Sequence, residues 1–428
     1  MNVVNEDVVL KILTSKNANA ASKITLLKWH IKGNIIKAGN NHMSEVYRLT
    51  IDYLKNCQPQ TRILFVKVPS NSPMYEAGSK WDVFTKELVM YTEILPQIYA
   101  FEDDYFTARY YHVDEKHTLF LKDLSQTGYK TGNRTQQLDF QHCAYALRCL
   151  AKFHGLSVHL EKTKGLPEVI LKDLFYNFHN DDEDTRKQIF AGLTQFYDFL
   201  DPAIRSKYAD KIEFFKTIEW TEVVADIVPE NSSFNVLNHG DYWTNNVMFK
   251  YDKFGIIKKA KMLDFQLCRW SNPANDLIYF TITSMRYETY EQYFDLLCSI
   301  YLETLNNILA KFDYPTYEME DLKKDIESRF AFCFVVISCI LPIMVSDPDI
   351  PVNINEVFKN NESDATALHE TLKHKEYLKI ATKWFEHFAK KDMSKFETKP
   401  IESLSGNAHQ HTVHGNQPRN KFHENEDT

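Results

Sequence analysis

The stretch HGDYWTNNVMFKYD, residues 239–252, decides how the rest of the chain is read. It sets His239, Asp241 and Asn246 close together and then runs into an apolar, strand-like NVMF. Asp241 and Asn246 stand five residues apart (246 − 241). A phosphoryl-transfer loop uses that spacing: the Asp orients the attacking hydroxyl and takes its proton, and the Asn at the far end reaches Mg²⁺. A second metal ligand must come from a neighbouring strand, and AKMLDFQ offers Asp264 after a short apolar run, 23 residues on (264 − 241). Two strands and a turn fit in that interval. Alone, Asp241 would read as a turn or capping aspartate next to a buried structural histidine; Asp264 tips the reading toward phosphate chemistry. His239 is grouped with Asp241 as a catalytic candidate. A zinc site on that pair lacks a third ligand at a recognisable spacing.

Phosphate handling should also show upstream. Lys67 closes the apolar strand RILFVKV and shares a face with Ile63 and Phe65. An ammonium there suits a phosphate and its apolar neighbours suit an adenine, although a lone strand-end lysine more often snorkels to water. Its carboxylate partner should lie on the helix WDVFTKELVMYTEILPQ, where Glu87 and Glu93 compete. At about 100° per residue Phe84, Leu88, Tyr91 and Leu95 share one face; Glu87 lies on its margin and Glu93 opposite, so Glu87 is chosen. The chain has no GxGxxG and no Walker A motif, which disfavours a P-loop NTPase. A phosphate-covering loop is sought instead in AGNNHMSEVYRL, with Gly39 for the turn and Ser44 for an amide and a hydroxyl; a plain hairpin turn fits equally well.

The bulk composition is that of an ordinary globular protein. The 428 residues are 44 % hydrophobic and 25 % charged, with a formal charge of −8. That balance argues against a general nucleic-acid binder, which carries a basic surplus. Seven scattered cysteines without paired spacing fit a reducing, cytoplasmic setting with no disulfide framework. The N-terminus lacks the pattern of a signal peptide. FAFCFVVISCILPIMV (330–345) is too short to span a bilayer and contains Pro342, so it is expected as a buried helix rather than a membrane insertion.

From about 30 to 122 the pattern is mainly strands, with Tyr47, Leu49, Ile51 and Tyr53 alternating on one face and HTLFLK as a further strand. From about 138 helices dominate. DFQHCAYALRCLAKFHG is one, expected to end at Gly155, and YFDLLCSIYLETLNNIL and EYLKIATKWFEHFAKK are others. The final 27 residues are polar and are expected to be disordered, their histidines (His409, His411, His414, His423) included.

HGDYWTNNVMF, MLDFQ and LFLKDLSQTGY together resemble the ecdysteroid-kinase-like (CHK-kinase-like) proteins of insects, relatives of the choline and aminoglycoside kinases. The resemblance runs from about Gly39 to the helices near 390, and Trp243, two residues after Asp241, is typical of it. It implies an α+β, protein-kinase-like two-lobed fold, with a small strand-rich N-lobe (1–121), a hinge (122–126), a larger helical C-lobe (127–398) and a tail (399–428). It implies Asp241 as catalytic base, Asn246 and Asp264 as Mg²⁺ ligands, and Lys67 with Glu87 as the phosphate-orienting pair. It further implies that the backbone of Lys122 and Leu124 meets adenine, and that Asp276 in NPANDLIYF braces the catalytic loop. Family hinges usually carry an acid where Lys122 stands; the contact is through backbone, so little should change. Gln266 stands where protein kinases have the Gly of DFG, which argues against a flipping activation loop. The expected function is ATP-dependent phosphorylation of a hydroxyl on an ecdysteroid-like or other hydroxylated apolar compound, in hormone inactivation or detoxification. The expected partner is that small-molecule alcohol, and no oligomer is implied. Trp243 and Trp270 are candidates for aromatic walls of its pocket. The alternative from another class is a catalytically inactive ligand carrier on the same fold.

Overall fold

The computed structural model describes residues 4–14, 23–33, 44–69, 82–102, 104–113, 118–171, 195–217, 223, 226–228, 232, 234–346 and 371–391. The loop around Gly39 and the tail from 399 lie outside these residues.

Alternation of side chains in the first half builds one antiparallel sheet of order β1-β2-β3-β5-β4, from β1 (Ile24–Lys32), β2 (Ser44–Lys55), β3 (Gln58–Pro69), β4 (Tyr110–Val113) and β5 (Leu119–Lys122). Leu49, Ile51 and Tyr53 of β2 and Leu64 and Val66 of β3 are buried with Val9, Ile12 and Leu13 of helix α1 (Glu6–Thr14) on one face. Successive strand residues point to opposite faces, so Phe65 and Lys67 of β3 and Leu121 of β5 line a cleft on the other face. Helix α2 (Val83–Val89) continues through a π-helical segment, Met90–Ile94, into a last turn, Leu95–Ile98. It buries Phe84 and Glu87, while Glu93 faces solvent.

Beyond the sheet, two small β units and a set of helices form the second part. β6 (Tyr129–Thr131), β8 (Val247–Tyr251) and β9 (Ile257–Met262) make a three-stranded sheet of order β6-β8-β9, and β7 (Val236–Asn238) pairs with β10 (Arg269–Ser271). The principal helices are α3 (Phe140–Lys164), α4 (Ala274–Ser284), α5 (Tyr287–Ala310) and α6 (Lys375–Ala389). The fold is α+β and two-lobed, strand-rich first and helical after.

Gly155 does not end α3, which runs on to Lys164. A Cβ at 155 would lie 2.8 Å from the Ile308 Cβ, so the glycine is where α3 and α5 cross closely. Periodicity read it as a stop because Gly is the usual C-terminal signal, whereas contact with a distant helix leaves no local mark. The apolar stretch 330–345 is helical from Phe330 to Met344, through a π segment at Val336–Ile340, and largely buried. Among the described residues no single helix is long and apolar enough to cross a membrane; this stretch and the helix before it form a pair bent by 64°.

Candidate active site

The hairpin β8–β9 puts the two acidic motifs side by side. Its register pairs Val247 with Met262, so the residues just outside, Asn246 and Leu263–Asp264, become neighbours, and the Leu263 amide donates to the Asn246 carbonyl at 2.9 Å. Asp264 adopts a left-handed backbone (φ 66°), an uncommon state that Asp tolerates better than most residues.

The segment 239–246 is held by a dense set of hydrogen bonds. Asp276, on α4, accepts from the backbone amides of His239 (2.6 Å) and Gly240 (2.9 Å) and lies 3.1 Å from the ring of His154. Burial opposes ionisation of Asp276, but the hydrogen bond from His154 leads the groups that hold its carboxyl below the ordinary value. Gly240 is left-handed (φ +81°), and a Cβ there would meet the Leu267 carbonyl oxygen at 2.0 Å; only glycine fits. His239 Nε2 lies 2.8 Å from the Leu263 carbonyl and must donate to it, while Nδ1 accepts from the Asp241 amide at 3.3 Å. These partners fix one neutral tautomer, in keeping with burial, which lowers the His239 pKa. Further along, the Thr244 amide donates to Ser284 Oγ (2.9 Å) and the Tyr242 hydroxyl to the Ala146 carbonyl (2.8 Å).

The Asp241 carboxylate accepts from the Tyr279 hydroxyl through Oδ1 (2.5 Å) and from Asn246 Nδ2 through Oδ2 (2.9 Å). Burial pushes this carboxyl up to about 7; the Tyr279 hydrogen bond opposes the shift, the Asp264 charge adds to it, and Asn246 and Trp243 oppose it.

Across the cleft, Lys67 Nζ donates to both Glu87 oxygens (2.9 and 2.8 Å) and lies 2.9 Å from Asp264 Oδ1. Lys67 and Glu87 are only 6 % and 3 % exposed. Burial alone would lower the Lys67 ammonium, but the charges of Asp264 and Glu87 hold it above its ordinary value. Burial pushes Glu87 up to about 7 against the pull of Lys67. One cation thus faces two carboxylates.

A cleft of about 410 Å³ opens between these groups. Lys67, Glu87, Lys122, Leu124, Asn246 and Asp264 line it, with Phe65, Leu121, Met248 and Leu263 as apolar walls. Asp241 joins it through Asn246. His239 and Asp276 are fully buried under the loop and do not line it, and neither does Ser44 at the start of β2, whose buried hydroxyl has no hydrogen-bond partner among the described residues. For His239 this is a correction of the catalytic grouping: both ring nitrogens are engaged by backbone, so it positions the loop and offers no proton to the cleft. Trp243 is 6 % exposed and Trp270 is half-buried against the core, and neither lines the cleft.

Two features escaped the sequence reading. Arg48 on β2 donates from Nε to Asp123 Oδ2 at 2.8 Å, and the other oxygen of Asp123 accepts from the Ser125 amide (3.0 Å) and hydroxyl (2.6 Å). This ties the sheet to the segment after β5, and no local pattern links positions so far apart. Tyr279 is the other; its one signal is that it follows Asp276 by three residues, on the same face of α4.

The implied Mg²⁺ can be tested against this donor set. Asp264 Oδ1 is buried beside the Lys67 ammonium at 2.9 Å, and Asn246 brings a carboxamide to the lining of the same cleft. Hard oxygen donors of this kind suit Mg²⁺, which keeps waters and phosphate oxygens as its other ligands. Among the described residues no group of three or more His, Cys, Asp or Glu could hold a metal unaided. The residues fit a cation that arrives with a phosphate.

A lysine–glutamate pair facing an Asp-bearing loop, with an Asp–Asn loop opposite, defines a phosphotransferase of the kinase-like, two-lobed class. The pattern of the ecdysteroid kinase-like family matches residues 38–314, and the chain belongs to that family. It is also similar to solved structures: a choline/ethanolamine kinase family protein from Mesorhizobium loti (11 % identity, 79 % of this chain and 97 % of that one, TM-score 0.30), an APH(2")-IIa in complex with gentamicin (14 %, 78 % and 99 %, 0.33) and a GDP complex of an aminoglycoside 2'-phosphotransferase-IIIa mutant (11 %, 90 % and 99 %, 0.39). No curated protein matches the chain.

Proposed function

We propose that this small-molecule kinase transfers the γ-phosphoryl group of ATP to a hydroxyl of an ecdysteroid or another hydroxylated, largely apolar compound, in hormone inactivation or detoxification. The observation that carries the reading is one cleft lined by the ion pair of Lys67 and Glu87 and by Asp264 and Asn246, with Asp241 held behind Asn246. Lys67, held by Glu87, would orient the phosphates, and Asn246 and Asp264 would hold Mg²⁺. When bound, that ion would neutralise charge on the phosphate oxygens. Residues 1–121 would serve as the nucleotide lobe, 122–126 as the hinge and 127–398 as the catalytic lobe. The Lys122 amide already donates to the Arg109 carbonyl at 2.8 Å, so Lys122 would offer adenine its carbonyl and Leu124 its amide. Ser44 would act only through its amide and hydroxyl at the edge of the phosphate site.

Asp241 would orient the acceptor hydroxyl and take its proton as the phosphoryl group leaves. Asp276 and His239 would hold the loop so that Asp241 and Asn246 keep their separation. A reducing, cytoplasmic location fits seven cysteines in no disulfide, six of them buried.

The test is a panel of hydroxylated steroids and other alcohols with Mg-ATP, the phosphoester followed by mass spectrometry, on wild type and Asp241→Asn. Asp241→Asn should lower transfer by about 10² to 10⁴, the usual range for a lost general base, with ATP affinity nearly unchanged. Full turnover in that variant would overturn the role of Asp241. Absence of ATP binding in the wild type would favour the inactive carrier.

A further inference from the structure

Two residues on α4 reach the catalytic loop, one helical turn apart. Asp276 grips the backbone amides of His239 and Gly240. Three residues later on the same helix face, Tyr279 grips the side chain of Asp241 through Oδ1 at 2.5 Å. On the far side of the carboxylate, Asn246 Nδ2 donates to Oδ2 at 2.9 Å and also to the Asp241 backbone carbonyl at 2.9 Å. The carboxylate plane is therefore pinned at both oxygens by donors from different elements. Rotation about Cβ–Cγ would break both bonds together.

We propose that Tyr279 is a positioning residue for phosphoryl transfer, holding the Asp241 carboxylate by Oδ1 so that its remaining lone pairs face the acceptor hydroxyl. The inference rests on the kinase reading above and adds a residue to it. Each carboxylate oxygen has about two acceptor sites, so a phenol on Oδ1 leaves room for the acceptor's proton. The 2.5 Å separation lies at the short, charge-assisted end for O–H···O⁻. Tyr279 is 6 % exposed, and its ring stays in place because α4 is buried along its length. Burial and the neighbouring Asp241 raise the phenol well above its ordinary value, so it remains a donor. Tyr279 belongs to α4 and is independent of the metal side.

The test is Tyr279→Phe, which keeps the ring and removes only the hydroxyl. Mg-ATP is the donor, and the acceptor is the panel alcohol that wild type turns over fastest. The kcat for phosphoester formation should fall by roughly tenfold or more, as for a lost hydrogen bond to a charged group. KM for ATP should stay at its wild-type value. In an Asp241→Asn background the same substitution should produce no further loss, because Tyr279 acts through that carboxylate. Unchanged kcat, or an equal added loss in the Asp241→Asn background, overturns the proposal. So does a kcat loss matched by a falling thermal midpoint and a rising KM for ATP, the signature of a merely structural tyrosine. If Asp241→Asn itself keeps full turnover, it is the function reading that fails, and the two failures are told apart.

Discussion

The two sides of the cleft are held together by different physics. On one side, residues 239–246 are a single run of chain whose amides and side chains are met by short-range hydrogen bonds from Asp276, Ser284, Leu263 and Tyr279. On the other, Lys67 of β3 and Glu87 of α2 hold each other by charge, and Lys67 reaches across to Asp264 in the turn after β9, beside the loop. The loop side is a template held by hydrogen bonds from the elements around it. The sheet side is a charge balance with one carboxylate in excess, so it responds to pH and to an arriving cation. On the proposed function, the first would hold the base for the acceptor and the second would gain favourable charge when a metal nucleotide enters.

The largest expected effect tests the stiffness of the loop. Gly240→Ala must place a Cβ 2.0 Å from the Leu267 carbonyl oxygen in a left-handed backbone. Backbone cannot yield as a flexible side chain would, so a loss of roughly 4 kcal/mol or more is expected, at the exceptional end for point changes. Urea unfolding measures it. A variant of wild-type stability would show that the loop can shift, and the contrast with the sheet side would dissolve.

The sheet side breaks differently, and its cost should depend on pH. Lys67→Met leaves the buried Glu87 and the half-buried Asp264 without their cation, and removing one partner of a buried pair costs about 3 kcal/mol or more. Glu87 limits the loss, because a carboxyl already raised from 4.5 to about 7 can take a proton. The sign follows from that direction. A carboxyl raised in the folded state contributes most below its unfolded value and loses that contribution as pH rises through the folded value. Without Lys67 the rise is larger still. The stability gap between wild type and Lys67→Met, measured without nucleotide or divalent cation, should therefore be widest near pH 8 and narrow toward pH 5. A gap that is flat with pH would mean that Glu87 is not the group relieved.

The same difference explains what could be read from the sequence. The loop side is contiguous, so the Asp241–Asn246 spacing and the strand before Asp264 survive as local pattern. Period-two alternation was likewise enough to set Lys67 and Phe65 on the face opposite Leu64 and Val66. Glu87 was reachable because helical periodicity separates it from Glu93. What escaped depends on tertiary approach: the crossing at Gly155, the Arg48–Asp123 tie, and Tyr279, whose importance appears only when α4 lies against the loop. His239 was misgrouped for a related reason. A histidine next to a candidate catalytic Asp looks the same in sequence whether it faces the cleft or the backbone behind it, and only the Leu263 carbonyl decides.

The smallest expected effect is also the sharpest check on which face of α2 meets Lys67. Glu93 lies in the π segment Met90–Ile94, and its side chain is exposed. Its neighbours Tyr91 and Ile94 are buried, and Tyr91 meets Phe265 edge-on at 5.5 Å between ring centroids. The inward face of this helix is therefore complete without Glu93. Its backbone carbonyl accepts from Gln97 Nε2 at 3.0 Å, a bond that Ala would keep. Glu93→Ala should change stability by no more than about 0.5 kcal/mol, as surface changes away from special features do. Mg-ATP turnover should match wild type, whereas Glu87→Gln, which removes the charge that pairs with Lys67, should lower it. Side-by-side turnover and urea unfolding of the two variants decide the matter. If Glu93→Ala lost turnover as Glu87→Gln does, α2 would be presenting its other face to Lys67, and the charge balance on the sheet side would have to be rebuilt from a different carboxylate.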